Sequence, residues 1–222
     1  MKNRALYSLI ENKHQSRVGR IIILTGARQT GKTTLVKKIF PDYEYLSVED
    51  PVMRIEYKKL TAVQWKNNYP EAILDEVQKE PVLIESIKSV YDQWEEPKYI
   101  LLGSSQLLLL EKVKESLAGR CIILELFPLT LPELITTSWT DTVNNSLFIN
   151  FISNNFSADF LPSFLMDKQL SVKKSALTHA MKYGGYPAVS EDNFSIEEKN
   201  DWLRNYVRTY LERDIRDLAS FR

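Results

Sequence analysis

Apolar residues along this chain follow two alternating rhythms. Short unbroken runs of aliphatic and β-branched residues alternate with longer stretches in which apolar residues return every three or four positions. The runs at Arg20–Thr25 (R-I-I-I-L-T), Tyr43–Val48, Glu71–Asp75, Lys98–Leu102 and Cys121–Leu126 predict strands buried within a sheet. Between them, Lys32–Ile39, Pro51–Leu60, Pro81–Trp94 and Ser105–Leu117 predict helices. Leu83, Ile84, Ile87, Val90 and Tyr91 mark an apolar stripe on the third of these. A leading helix is expected over Arg4–Lys13, with Leu6, Leu9 and Ile10 on one side.

The pattern changes near Leu129. From Thr136 to Ser163 the chain is rich in Thr, Ser and Asn, yet Phe148, Ile149, Phe151, Ile152, Phe156 and Phe160 are too many large apolar residues for a solvated tether. An irregular or helical connection packed on the domain is expected there. Ser171–Lys182 predicts a further helix, stopped by Gly184-Gly185 and followed by Pro187. Ser195 and Glu198 form a capping box. It opens a helix carrying Ile196, Trp202, Leu203, Tyr206, Val207, Tyr210, Leu211, Ile215 and Leu218, with i,i+4 ion pairs Glu212–Arg216 and Arg213–Asp217. Strands separated by helices predict an α/β fold: a five-stranded, mostly parallel sheet with helices on both faces, plus a small C-terminal helical region. The expected division is a core over residues 1–135 and a helical lid or linker over 136–222.

Composition narrows the classes without choosing one. At 222 residues the chain is long enough for one domain with an appendage or two small ones. Lys plus Arg and Asp plus Glu each number 29, so no overall field draws the chain to nucleic acid, and no helix-turn-helix pattern accompanies the basic N-terminal stretch. The single cysteine, Cys121, excludes an internal disulfide and lies in an apolar run expected in the core. His14 and His179 lie too far apart for metal-ligand spacing and are expected to be structural or surface residues. Without an apolar signal core or a membrane-length run, the expected location is the cytoplasm.

The candidate chemistry sits between the first strand and the first long helix. Gly26-Ala27-Arg28-Gln29-Thr30-Gly31-Lys32-Thr33 fits the phosphate-cradling pattern G-x-x-x-x-G-K-[ST]. Gly26 and Gly31 are free to take positive φ and turn backbone N–H groups inward. The amides and dipole of the following helix favour an anion in the same place. The loop through Thr34 is therefore the expected nucleotide-binding segment: Lys32 would reach the β- and γ-phosphates, and the Thr33 hydroxyl would ligate Mg²⁺. Arg28 is left without a side-chain role. Such a loop requires a carboxylate at the end of another buried strand. Ala72-Ile73-Leu74-Asp75-Glu76 supplies Asp75 for the metal, and Glu76 as a base to orient and deprotonate an attacking water. After the fourth strand, Ser104 or Ser105 would hydrogen-bond the γ-phosphate or that water, although Ser105 also suits a helix N-cap. Arg120, before the fifth strand, is an arginine-finger candidate acting in cis or from a neighbouring subunit.

In this order, the phosphate loop, L-D-E, G-S-S-Q and S-L-A-G-R over residues 20–135 resemble the AAA-type P-loop NTPases. The resemblance is closest to bacterial and archaeal predicted ATPases with a G-A-R-Q-x-G-K-T loop. Gly184-Gly185-Tyr186-Pro187 and the run Thr209–Ile215 (T-Y-L-E-R-D-I) are similar to the segment joining the two domains in that family. What it implies is Mg²⁺-dependent ATP binding and hydrolysis driving a conformational switch. Lys32, Thr33, Asp75 and Glu76 would hold their usual roles, with a sensor among Ser104 and Ser105 and a helical lid after the fifth strand. The leading helix would then close over the base or simply pack on the core. Family members continue past a position like Arg222, so a further C-terminal domain is expected beyond this segment. The expected partners are ATP and ADP, with self-association if Arg120 acts in trans. Two other readings remain open: a nucleotide-gated binding module with little turnover, and a phosphotransferase, for which no acceptor site is marked.

Overall fold

The structure, a computed structural model, describes residues 1–104, 113, 115–153, 157, 169–190 and 193–211. The chain forms two compact units, one spanning Leu6–Phe127 and the other combining Met1–Ala5 with Pro128–Arg222.

The first unit is a five-stranded parallel sheet. Its strands are β1 (Ile21–Thr25), β2 (Glu44–Ser47), β3 (Glu71–Asp75), β4 (Lys98–Leu102) and β5 (Ile122–Glu125), in the spatial order β2-β3-β4-β1-β5. The register sets Ile23 opposite Leu101 and Ile123, and Ser47 opposite Asp75. Every residue of β1 is buried, as its unbroken apolar run requires, because strands on both sides and helices on both faces exclude water from it.

Alternate side chains leave a strand on opposite faces. Ile21, Ile23, Ala72, Leu74, Tyr99 and Leu101 share one core with residues of the helices α3 (Pro51–Lys59), α4 (Ala62–Asn68) and α5 (Val82–Gln93). On the other face α1 (Leu6–His14) packs on β1, and α2 (Lys32–Ile39) on β4, burying Ile10, Leu35 and Val36. The expected apolar side of α1 is partly corrected: Leu9 is 40% exposed, and Ile10 with His14 forms the inward pair. Helix α4 was not expected from apolar spacing. A Thr61–Gln64 capping box opens it, and it delivers the fully buried Trp65. Cys121 is half-buried against this core, and burial raises its thiol pKa to about 11. The helix expected over Ser105–Leu117 lies almost wholly outside the described residues, although Val113 and Leu117 are buried.

In the second unit the N-terminal segment is pinned by polar groups. Lys2 Nζ donates to the carbonyls of Leu134 (2.7 Å) and Thr136 (2.6 Å), and Arg4 pairs with Glu133 at 3.2 Å with both side chains buried. The short helix Leu131–Ile135 opens on a Thr130–Glu133 capping box and belongs to this unit. Gly184, at φ 73°, ends the helix Leu170–Tyr183. A Cβ on Gly185 would lie 2.2 Å from the Leu129 carbonyl oxygen, so only glycine fits this crossing. Tyr186 then meets the rings of Trp202 and Tyr206 at centroid distances of 5.4 and 4.7 Å. Trp202 and Tyr206 lie on the helix Ile196–Tyr206, which continues as a π-helical turn over Val207–Leu211. The ion pairs expected beyond Leu211 lie outside the described residues, as do Phe156 and Phe160. The connection expected to pack its apolar residues does otherwise at the helix Leu147–Ser153, where none is buried and Phe148 is 69% exposed.

At the N-terminal edge of the sheet, His14 is a structural residue. It donates from Nδ1 to the Gly19 carbonyl (2.6 Å), and its Nε2 lies 2.8 Å from the Tyr43 hydroxyl, which itself donates to Glu71 at 3.5 Å. Burial, assisted by the charge of Lys98 and opposed by the Gly19 bond, lowers its pKa from 6.5 to about 4. The unfolded chain therefore takes up this proton first as pH falls. The stability that neutral His14 contributes is complete above pH 6.5 and is lost as pH drops toward 4. Urea unfolding at pH 7 and pH 4 should show the wild type losing about 2 to 3 kcal/mol more than His14→Gln over that interval. Equal losses would remove His14 as the cause.

Candidate functional site

Parallel strands bring all their C-terminal ends to one edge of the sheet, where ligands of such folds bind. The loop leaving β1 turns at Gly26, whose φ of 141° is closed to most side chains. A Cβ here would also sit 2.2 Å from the Leu126 carbonyl oxygen, just past β5. Gly31 takes φ 91° as the N-cap of α2, as its sequence position anticipates, and Gln29 shares the positive region at φ 61°. Three departures from ordinary backbone within six residues curl the loop tightly. Gly31 offers no side chain to cap α2, so the first-turn amides, including those of Lys32, Thr33 and Thr34, are left for an anion. Inside the curl, the fully buried Thr30 donates its hydroxyl to the Ala27 carbonyl at 3.0 Å. Ala27 and Arg28 are half-buried, while Gln29 and Thr34 are exposed.

Lys32 is buried, and its ammonium donates to the carbonyls of Gly26 (2.9 Å) and Ala27 (2.8 Å). Burial lowers its pKa, and the negative charges of Glu76 and Asp75 oppose that shift while Arg28 adds to it. Lysine, carboxylates and arginine thus act within one electrostatic neighbourhood.

Asp75, the last residue of β3, accepts three hydrogen bonds. Oδ2 receives the Thr33 hydroxyl at 2.6 Å and the Tyr45 hydroxyl at 2.8 Å, and Oδ1 receives the Glu76 N–H at 2.9 Å. Tyr45 is held from its other side by Lys37, whose Nζ lies 3.2 Å from the ring centroid. Burial, together with the negative charge of Asp75, raises the pKa of the tyrosine hydroxyl and keeps it a donor. Glu76 takes φ 59°, an uncommon conformation for a residue with a Cβ, and opens the 3₁₀ turn Val77–Lys79. That turn returns Gln78 to the site, where Nε2 donates to Glu76 Oε2 (2.5 Å) and to the Oγ of buried Ser104 (3.3 Å). Because β4 lies between β1 and β3, Ser104 falls between the loop and the carboxylates.

The structure therefore assembles Lys32, Thr33, Asp75, Glu76 and Ser104 at one edge. Ser105 lies outside the described residues. Arg120 is not brought to this edge: it precedes β5, pairs with Asp92 at 2.7 Å, and is separated from the loop by the length of a strand, about 13 Å. Tyr45 and Gln78 are additions that apolar spacing gave no reason to single out. Gln78 had a local signal, being two residues past the acidic pair; Tyr45 reaches Asp75 from 30 positions away along the chain.

A threonine hydroxyl and a carboxylate in contact are hard oxygen donors, the chemistry Mg²⁺ selects. Among the described residues no cluster of three or more His, Cys, Asp or Glu could hold a metal ion. The Thr33–Asp75 pair fits an ion that takes its remaining oxygens from water and phosphate. Among the same residues no helix is long and apolar enough to cross a membrane.

This sheet order, with a phosphate-type loop after β1 and a carboxylate ending β3, defines a P-loop NTPase domain of the AAA type. A family model described as an AAA domain matches residues 18–135, and the chain belongs to that family. A second model, of a domain of unknown function, matches residues 174–222. Uncharacterized proteins of Mycobacterium bovis and Mycobacterium tuberculosis are each 27% identical over 204 residues, covering 90% of this chain and 37% of their own length. The chain thus spans little more than a third of these curated relatives. Among solved structures, a Walker-type ATPase of Pyrococcus abyssi shares the fold, with a TM-score of 0.55 and 15% identity over 99% of this chain and 78% of that one.

The crowding at Gly26 gives a direct test. Gly26→Ala should lower stability by about 2 to 3 kcal/mol in urea unfolding, from strained backbone and the clash with Leu126. A variant as stable as the wild type would show that the loop and the end of β5 separate freely.

Proposed function

We propose that this chain is a cytoplasmic, Mg²⁺-dependent ATPase whose turnover serves as a conformational switch. The observation that carries the proposal is the contact of Thr33 with Asp75 at 2.6 Å, with Glu76 next in the chain. The loop amides and Lys32 would hold the β- and γ-phosphates, with Lys32 exchanging its loop carbonyls for phosphate oxygens. When bound between Thr33 and Asp75, Mg²⁺ would neutralise charge on those oxygens. Tyr45 supports Asp75 from behind. Glu76, raised out of β3 by its left-handed backbone, would accept a proton from the attacking water. Ser104 would present its hydroxyl to the γ-phosphate or to that water.

The location of Arg120 favours a second reading, a nucleotide-gated binding module with little turnover. Arg120 is tied to Asp92 at the far edge of its own sheet, so a finger role requires a neighbouring copy.

Three measurements test these statements. Glu76→Gln should retain ATP binding while losing about 10²- to 10⁴-fold in turnover; turnover at the wild-type rate would exclude Glu76 as the base. Lys32→Ala should abolish detectable ATP binding at concentrations that saturate the wild type. If Arg120 acts in trans, specific activity should rise with protein concentration and that rise should disappear in Arg120→Ala, whereas constant specific activity unaffected by the substitution would remove the role.

A further inference from the structure

Gln78 is the side chain that joins the β3 end of the site to the β4 end. Its single amide nitrogen has two protons, and each has a destination: Oε2 of Glu76 at 2.5 Å and Oγ of Ser104 at 3.3 Å. The amide oxygen, Oε1, is buried and has no hydrogen-bond partner among the described residues. An unpaired buried acceptor costs about 1 to 3 kcal/mol, a cost that proteins tend to retain where the group has work to do. Among the described residues the amide is therefore oriented by its bonds to Glu76 and Ser104. Its approach is also built into the backbone. Glu76 at φ 59° starts the 3₁₀ turn, closed by the Lys79 N–H to Glu76 carbonyl bond at 3.0 Å, and this turn folds residue 78 back over residue 76.

Each bond has a chemical consequence. Donation to Glu76 occupies one oxygen of the carboxylate and fixes its plane, leaving the other to face a water. Donation to Ser104 occupies a lone pair on Oγ, so the serine proton must point away from Gln78. The same amide thus sets where the proposed base faces and which way the serine hydroxyl donates.

We propose that Gln78 is a positioning residue that makes Glu76 and Ser104 one hydrogen-bonded unit, so that contact of Ser104 with the terminal phosphate is felt at the base. The proposal rests on the ATPase reading of this site. A shift of the Ser104 hydroxyl toward a phosphate weakens or redirects its bond from Gln78, and the amide carries that change to Glu76. Because the link runs through Ser104, it bears on discrimination between a nucleoside triphosphate and a diphosphate as well as on rate.

The test is a double-variant cycle on the full chain, with two readouts. Affinities for fluorescent ATP and ADP analogues, and steady-state ATP turnover, are measured for the wild type, Gln78→Leu, Ser104→Ala and the combined variant. Gln78→Met serves as a second, length-preserving substitution, and thermal midpoints confirm folding. Gln78→Leu should lower kcat about tenfold with a much smaller change in KM. It should also reduce the preference for ATP over ADP, and the combined variant should be no more impaired than Ser104→Ala alone. Losses that multiply across the two sites, or a folded Gln78 variant that matches the wild type in both readouts, would overturn the proposal. A wild type that binds ATP without turnover would defeat the hydrolysis reading, while the ATP-over-ADP cycle would still decide whether Gln78 and Ser104 act together.

Discussion

The carboxylate of Asp75 is the point at which three separate stretches of chain are held to one another. It draws a hydroxyl from the first turn of α2, a hydroxyl from β2 and an amide from the residue that follows β3. A buried carboxylate is tolerated only when its oxygens are satisfied, and here both are. Removing it would leave two hydroxyls converging on nothing and would free the start of α2 from the sheet. The placement of the phosphate loop relative to the acidic strand end follows from this contact as much as from the loop itself.

A second constraint is conformational. Gly26, Gln29, Gly31 and Glu76 all adopt positive φ, and all four lie at the same edge of the sheet. Two are glycines, at which that geometry is inexpensive; two are not, and each such residue stores about 1 to 3 kcal/mol of strain that the surrounding packing must hold. The core beneath supplies that restraint, since β1, β3 and β4 are buried to their last residues.

Much of this was legible in the sequence, for reasons that differ by element. The strands of the central sheet declared themselves because burial on both faces leaves an unbroken apolar run, as in Ile21–Leu24. The loop stood out because the G-x-x-x-x-G-K-[ST] pattern fixes residue types at set spacing, and Asp75-Glu76 because two carboxylates close an apolar strand run. The order of strands was not legible: placing β4 between β1 and β3 is a long-range choice, yet it decides that Ser104 falls between the loop and the carboxylates. The contact of Tyr45 with Asp75 was hidden for the same reason. Arg120 shows the opposite hazard, since an arginine near a strand reads alike at either end, and only the direction of β5 reveals that it opens at the edge away from the loop. Helix α4 escaped because it is short and presents one large buried residue, Trp65, instead of a stripe.

Lys32 has a thermodynamic corollary. A lysine side chain has about 2 kcal/mol of rotamer freedom to lose when it is fixed. In this fold the ammonium is already moored to the loop's own carbonyls within a buried setting, so that loss is incurred during folding. Capture of an anion then becomes an exchange of acceptors by a prepositioned cation. The strength of the loop as a receptor thus depends on an ordering step completed before any ligand arrives.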